Sequence, residues 1–196
     1  MADTKTVLLC GVGGQGTILA ADLLAHAALA AGRDVKVSEI HGMAQRGGAV
    51  TTVVRVGERV GSMVADLGCA DVIVSFETTE ALRNLPFLAE GGALIVNDEA
   101  IKPLPVLTGK AAMPARAREQ LIDAGALLVP ADAIAREAGN AKASNVVLLG
   151  ALSAALDFPA EAWESTVAAR VPAKTVEANL AALAAGRAFV EEREGI

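Results

Sequence analysis

A short apolar run, Val7-Leu8-Leu9, ends in Gly11-Val12-Gly13-Gly14-Gln15-Gly16 and passes straight into Thr17–Ala31, where Leu19, Leu23 and Ala27 recur at four-residue spacing with Leu24 beside them. The run reads as a strand buried on both faces, and the spacing as a helix that stops at Gly32. Glycines at such a junction let the chain turn sharply, let a ligand approach the backbone, and aim the free N–H groups of the helix N-terminus at an anion. G-x-G-x-x-G between strand and helix is a dinucleotide-binding pattern. Two other uses stay open: tight strand–helix packing, and docking of another protein. Gly16 is followed by Thr17-Ile18, so no phosphate-loop lysine is present. Glu39 stands 28 residues after Gly11, a loose match to the ribose-binding acid expected about 20 residues on.

Three further apolar runs, Val72-Ile73-Val74, Leu94-Ile95-Val96 and Leu127-Leu128-Val129, repeat the buried-strand signature. Between them lie helical stretches: Thr78–Ala89, and Ala115–Ala124 opened by Pro114 and closed by Gly125. Strand and helix in alternation predict an α/β fold with a doubly wound, mostly parallel, Rossmann-like sheet. Val35–Ile40 and Ala49–Val56 break the alternation as a hairpin insertion, and Gly57 with Arg59-Val60-Gly61 suggests a second, shorter hairpin. After Ala131 the pattern is helical, over Asp132–Ala138, Ser144–Leu156, Ala160–Val171 and Ala173–Glu192, with a Glu-Glu-Arg-Glu tail expected to fray. The reading is one domain over 1–196, with an α/β core at 1–140 and C-terminal helices at 141–196. No internal repeat or disordered linker interrupts it.

Composition removes several classes of function. The 196 residues are 53% hydrophobic and 20% charged, which excludes a disordered chain. A net charge of −6, 3% aromatics, no tyrosine and the single Trp163 give no basic face and few stacking rings for nucleic acid. No apolar run reaches the roughly 18 residues a membrane span needs, and the N-terminus lacks a signal-peptide pattern. A cytoplasmic protein is expected. Cys10 and Cys69 form no Cys-x-x-Cys pair and, with only two histidines, cannot hold an iron–sulfur cluster or structural zinc alone. They read as small buried hydrophobes. The alanine-rich, aliphatic composition fits a large subunit interface, and a large core would absorb the same residues.

The eight residues joining the hairpin strands, His41-Gly42-Met43-Ala44-Gln45-Arg46-Gly47-Gly48, exceed what a tight hairpin needs, and long loops of unusual composition are often functional. Arg46 can clamp a carboxylate or phosphate or stand as a solvated surface charge. Gln45 adds a neutral donor and acceptor, Met43 an apolar contact, and Gly42, Gly47 and Gly48 room for close approach. His41 suits backbone orientation better than proton transfer, and His26 reads as a surface histidine. At the C-terminal edge of a parallel sheet this loop would face the glycine loop across one crevice.

These two loops in order, followed by Asp71–Phe76, Ser144-Asn145 with Leu149-Gly150-Ala151-Leu152, and Val171-Pro172-Ala173-Lys174 leading to Glu177-Ala178-Asn179-Leu180, resemble the gamma subunit or domain of 2-oxoacid:ferredoxin oxidoreductases, closest to the indolepyruvate type. The likeness spans nearly the whole chain. It implies a subunit of an enzyme that oxidatively decarboxylates a 2-oxoacid with thiamine diphosphate, passes electrons through iron–sulfur clusters to ferredoxin, and forms an acyl-CoA. It further implies that this chain holds neither the thiamine nor the clusters, is inactive alone, and packs against the subunits that do. A homodimer is a further possible assembly. Gly11, Gly13, Gly14, Gln15, Gly16, His41, Gly42, Met43, Gln45, Arg46, Gly47, Gly48 and Asn145 would border the shared cleft, with no catalytic acid or base and no metal ligand assigned. A stand-alone NAD or FMN oxidoreductase and a pure docking module are the alternatives. The first lacks a Tyr-x-x-x-Lys pair and an obvious His–Asp couple.

Overall fold

β1 (Lys5–Val12) is buried along nearly its whole length, and the period-two alternation of a strand divides its side chains between two cores. Val7 and Leu9 enter one cluster, and Leu8 and Cys10 the other. A computed structural model describes residues 4–42 and 48–194. Along the chain follow α1 (Thr17–Ala30), β2 (Asp34–His41), β3 (Ala49–Gly57), β4 (Ala70–Ser75), α2 (Thr78–Asn84), β5 (Leu88–Asn97), α3 (Leu104–Leu107), α4 (Ala117–Asp123), β6 (Leu127–Val129), α5 (Ala131–Glu137), α6 (Ser144–Ala154), α7 (Ala160–Arg170) and α8 (Val176–Glu194).

The strands form one sheet in the order β2-β3-β1-β4-β5-β6. β1, β4, β5 and β6 are mutually parallel, and β3 runs antiparallel to both β1 and β2. Five strands therefore point one way, and the mostly parallel, doubly wound reading holds. The hairpin insertion is real, and it places β3 between β1 and β2. One face carries α1, α5, α6, α7 and α8, and the other carries α2 and α4.

α6 is apolar all round and buried from Asn145 to Ser153, as a helix covered on every side must be. Leu148, Leu149 and Leu152 are each worth about 1.5–3 kcal/mol by full burial. α6 meets α8 at unusually close range. A Cβ added to Gly150 would lie 2.0 Å from the Leu183 carbonyl oxygen, and one added to Gly186 would lie 1.9 Å from that of Val147. The obstacle in each case is backbone, so no rotamer change relieves it.

Four expected elements differ. The second hairpin at Gly57 does not form: residues 58–69 contain no strand, and Val60 is instead pinned by its N–H donating to Asp34 Oδ2 at 2.7 Å. The helix expected over Thr78–Ala89 stops at Asn84 and passes through a 3-10 turn at Leu85–Phe87, because Pro86 cannot donate to a continuing helix. Leu88 and Ala89 consequently belong to β5. The helix expected from Ala115 begins at Ala117, after Arg116 with φ 54°, so Pro114 lies outside it. The tail expected to fray is helical through Glu194.

Gly150→Ala is expected to lower stability by about 3 kcal/mol or more, since overpacking outweighs the gain of roughly 1 kcal/mol in helix propensity. The midpoint of urea unfolding checks this. An unchanged midpoint would show that α6 and α8 separate at little cost.

Candidate functional site

β1 and β4 are parallel neighbours whose following helices leave to opposite faces, α1 to one and α2 to the other. Ligands of open α/β sheets bind in the crevice that such a reversal opens at the carboxyl ends of the strands. The glycine loop sits there. Gly11 pairs with Val50 and Val12 with Ala49 at the end of β1, and the Gly13 N–H donates to the Gly48 carbonyl oxygen at 2.9 Å. The Gly42 N–H donates to the Ala49 carbonyl at 3.1 Å. The start of the first loop thus abuts the end of the second. His41 is exposed, with Nδ1 3.3 Å from the Gly42 carbonyl oxygen. Met43, Gln45, Arg46 and Gly47 lie outside the described residues.

Gly14 and Gly16 have φ of 104° and 84°, the left-handed region that glycine enters without steric cost. Gly16 is doubly constrained, because a Cβ there would meet Asn145 Nδ2 at 2.7 Å. That Nδ2 donates to the Gly16 carbonyl oxygen at 3.5 Å, and Asn145 Oδ1 accepts from the Val146 N–H at 3.0 Å. Asn145 thereby ties the start of α6 to the start of α1. Neither helix has a side-chain N-cap, since Gly16 and Ala143 occupy those positions, so two positive helix ends meet beside the loop.

Gln15 closes the turn from within. Its Oε1 accepts the Val12 N–H at 2.8 Å, and its Nε2 donates to the Phe76 carbonyl oxygen at 2.9 Å. The side chain therefore bridges the ends of β1 and β4 across the switch point. Glu39, the loose ribose-acid candidate, is exposed on β2, separated from β1 by β3. At about 4.8 Å per strand, that places it roughly 10 Å from the strand carrying the glycines. Both features disfavour dinucleotide binding in the usual manner.

Beyond Gln15 the crevice holds about 490 Å³, bordered by Gly14, Phe76, Asn97, Glu99, Ile101, Asp132, Lys142 and Ser144. Asn97 organises its acidic wall. Its Nδ2 lies within hydrogen-bond distance of Phe76 O (3.3 Å), Glu99 Oε2 (3.3 Å) and Asp132 Oδ2 (3.1 Å), while its Oδ1 accepts the Ala131 N–H at 3.2 Å. Two amide hydrogens cannot serve three acceptors at once, so Phe76 O, Glu99 Oε2 and Asp132 Oδ2 share them. Burial, then the Asp132 charge and a hydrogen bond with Asp132, then Glu77, push the Glu99 carboxyl above the usual range. Burial similarly raises Glu80, offset by Arg83 at 3.3 Å and reinforced by Glu77. Glu77 caps α2 by accepting the Glu80 N–H. Sequence reading missed Asn97, Glu99, Asp132 and Lys142. The available signal was the rule that polar residues directly after buried parallel strands face the crevice, met by Asn97-Asp98-Glu99 and by Pro130-Ala131-Asp132.

Cys10 is buried and its thiol is pushed up to about 12 by burial, which makes it an inert core residue. Cys69 is half-buried. His26 Nδ1 lies 2.8 Å from the Asp22 carbonyl oxygen on α1, and the Asp22 carboxylate receives Arg170 of α7.

The family model described as pyruvate ferredoxin/flavodoxin oxidoreductase matches residues 6–189. Indolepyruvate oxidoreductase subunit IorB of Thermococcus kodakarensis is 43% identical over 198 residues, covering 97% of this chain and 98% of the relative. Its counterpart in Pyrococcus horikoshii is also 43% identical, over 92% of this chain and 93% of the relative. Among solved structures, pyruvate oxidoreductase subunit PORC of Thermotoga maritima matches with a TM-score of 0.68 and 27% identity, over 93% of this chain and 94% of that one. The gamma subunit of a keto/oxoacid ferredoxin oxidoreductase from Geobacter sulfurreducens has the same fold, with a TM-score of 0.72 at 24% identity over 96% of this chain and 99% of that one. The chain belongs to the pyruvate ferredoxin/flavodoxin oxidoreductase family, as a subunit of a 2-oxoacid:ferredoxin oxidoreductase.

Enzymes of this class use thiamine diphosphate and iron–sulfur clusters. The thiols of this chain do not fit a cluster. Cys10 pairs in register with Ser75 at one end of β4, while Cys69 precedes Ala70 at the other, about 20 Å away at 3.3 Å per residue. Among the described residues no three His, Cys, Asp or Glu side chains converge to hold a metal ion, and no helix is long and apolar enough to cross a membrane.

Because the fold raises the Glu99 pKa, its penalty is absent below the ordinary carboxylate range and grows as pH rises through the raised value. Glu99→Gln removes that ionisation. The wild type is expected to lose thermal stability relative to Glu99→Gln between pH 4 and 7, as melting of both proteins across that range will read. A pH-independent difference would exclude a raised Glu99 carboxyl.

Proposed function

We propose that this chain is the cofactor-free subunit of an oxidoreductase acting on indolepyruvate or a related aryl-pyruvate, with thiamine diphosphate and the clusters held by its partner subunits. Identity of 43% to the Thermococcus kodakarensis IorB chain over nearly the full length of both favours this substrate class. The chain contains no Gly-Asp-Gly…Asn-Asn thiamine signature and too few cysteines for a cluster, which favours the division of labour. Thiamine diphosphate supplies the carbanion chemistry of decarboxylation when bound in the partner, and a chain without it is inert alone.

The observation that carries the role of this chain is the 2.9 Å bond from the Gly13 N–H to the Gly48 carbonyl. It joins the glycine loop to the loop that contains Arg46, beside two uncapped helix N-termini and within reach of a crevice bordered by Lys142. Backbone N–H groups, helix ends and a guanidinium are the groups that receive carboxylate or phosphate. In the assembled enzyme these loops border the thiamine-bearing cleft, and Arg46 meets the substrate carboxylate or a CoA phosphate.

In the assembled enzyme, Arg46→Ala is expected to raise the KM for 2-oxoacid or for CoA about tenfold or more, the loss of one charge-assisted contact of roughly 1.5–3 kcal/mol, with subunit assembly intact. Steady-state kinetics with each substrate varied in turn decides which one Arg46 meets. Unchanged KM for both would overturn its role.

A further inference from the structure

The sheet is open on the β2 side. β2 is its last strand there, and Asp34–His41 pairs with β3 over eight residues without a bulge or a proline. Among the described residues, no strand lies beyond the alternate N–H and C=O groups of its outer side. Natural edges of this length are normally kinked, shortened or loaded with charge to prevent strand addition. Here Asp34 is turned inward onto the Val60 N–H, which leaves Lys36 and Glu39 as the charges along the run.

Aliphatic side chains stand on both faces of this edge. Val37, 40% exposed, faces α1 and forms with Ile18, Ala21 and Ala25 a groove of about 230 Å³ whose floor includes Thr52 and whose α1 side also carries Asp22, itself paired with Arg170. Ile18 is 60% exposed, and Ile40, on the opposite face by alternation, is 69% exposed. Thr52 is buried and its Oγ1 has no hydrogen-bond partner among the described residues. Glu39, exposed at the groove rim, joins no ion pair among the described residues. An unpaired strand edge, a half-open aliphatic groove, an orphaned hydroxyl at its base and a free carboxylate at its rim together describe a site for extended polypeptide.

Resting on the subunit reading above, we infer that β2 receives an extended segment of the partner subunit as a seventh strand, with an aliphatic side chain in the Ile18–Val37 groove and a basic one at Glu39. The position suits that occupant, because β2 runs directly into the His41–Gly48 loop and Ile18 lies in the first turn after the glycine loop. A strand laid here continues to the rim where the two loops meet.

A second copy of this chain does not supply the match. Two-fold antiparallel pairing of an edge with itself keeps each sheet face continuous, so facing residues are separated by an even number of positions. Lys36 and Glu39 lie three apart on opposite faces, and no such register brings them together. Registers centred on Lys36 or on Glu39 instead set like charges opposite each other, which is destabilising.

Hydrogen–deuterium exchange on the free chain and on its complex with the co-produced thiamine-carrying subunit tests this. Alternate amides of Asp34–His41 are expected to exchange rapidly in the free chain and at least tenfold more slowly in the complex. Ile18→Asp and Glu39→Lys, both at exposed positions, are expected to weaken association at least tenfold while leaving the circular dichroism and melting temperature of the free chain unchanged. Exchange of β2 that does not slow in a complex that does form, or wild-type association by both variants, overturns the inference and leaves the subunit reading standing. Concentration-dependent protection of β2 in the isolated chain, with a dimer by sedimentation, overturns it in favour of self-pairing. If the wild-type chain assembles with no thiamine-carrying subunit, the subunit reading itself falls.

Discussion

The pairing of β1 between β3 and β4 is the constraint on which the other features depend. A strand flanked on both sides and covered on both faces must be apolar throughout, and Val7 to Cys10 meet that demand by sending alternate side chains into two separate cores. Because the cores lie on opposite faces, the helices that follow β1 and β4 must diverge, and their divergence opens the crevice. The loops and the Asn97-centred carboxyl pair reach the crevice because they follow strands that point toward it, and Lys142 reaches it from the segment between α5 and α6.

The same strand explains why the dinucleotide pattern here lacks the usual ribose-binding acid beside it. In the usual arrangement β2 lies beside β1, so that an acid at its end reaches a ribose held over the glycine turn. In this chain β3 takes that place, running antiparallel, and Glu39 is moved out to the sheet edge. Gln15 then satisfies the Val12 N–H and the Phe76 carbonyl, groups left by the abrupt ends of β1 and β4. The glycines still perform their steric work, with positive φ at Gly14 and close approach of Asn145 at Gly16, but the space they create is partly filled by protein.

Much of this was legible in the residues. Continuous apolar runs located β1, β4, β5 and β6, and the mostly parallel sheet followed from their alternation with helices. The adjacency of the two loops was also foreseeable, since both lie at carboxyl ends of strands or return to them. What escaped were features set by tertiary context. Period and propensity cannot say that an inserted strand will settle between β1 and β2 rather than outside them, nor that Pro86 will divert the chain into β5. The carboxyl pair was missed because Glu99 and Asp132 are 33 residues apart and come together only in the fold, beside Asn97. The close contact of α6 with α8 is written in Gly150 and Gly186, two ordinary-looking helix glycines whose meaning depends on each other.

The alanine-rich composition first suggested either a large interface or a large core, and the fold separates the two. Most of the aliphatic residues are consumed internally: α6 is buried on all sides, and α8 approaches it closely enough that even a methyl group is excluded at Gly150 and Gly186. Small residues are needed for that approach and imply nothing about partners. Part of the remainder is exposed: Val64, Leu67 and Leu107 lie in other segments, while Ile18, Val37 and Ile40 stand along one open edge, immediately beside the loops that carry the polar crevice. Apolar edge and polar rim thus form adjoining parts of one surface, which a single extended partner segment would cover together.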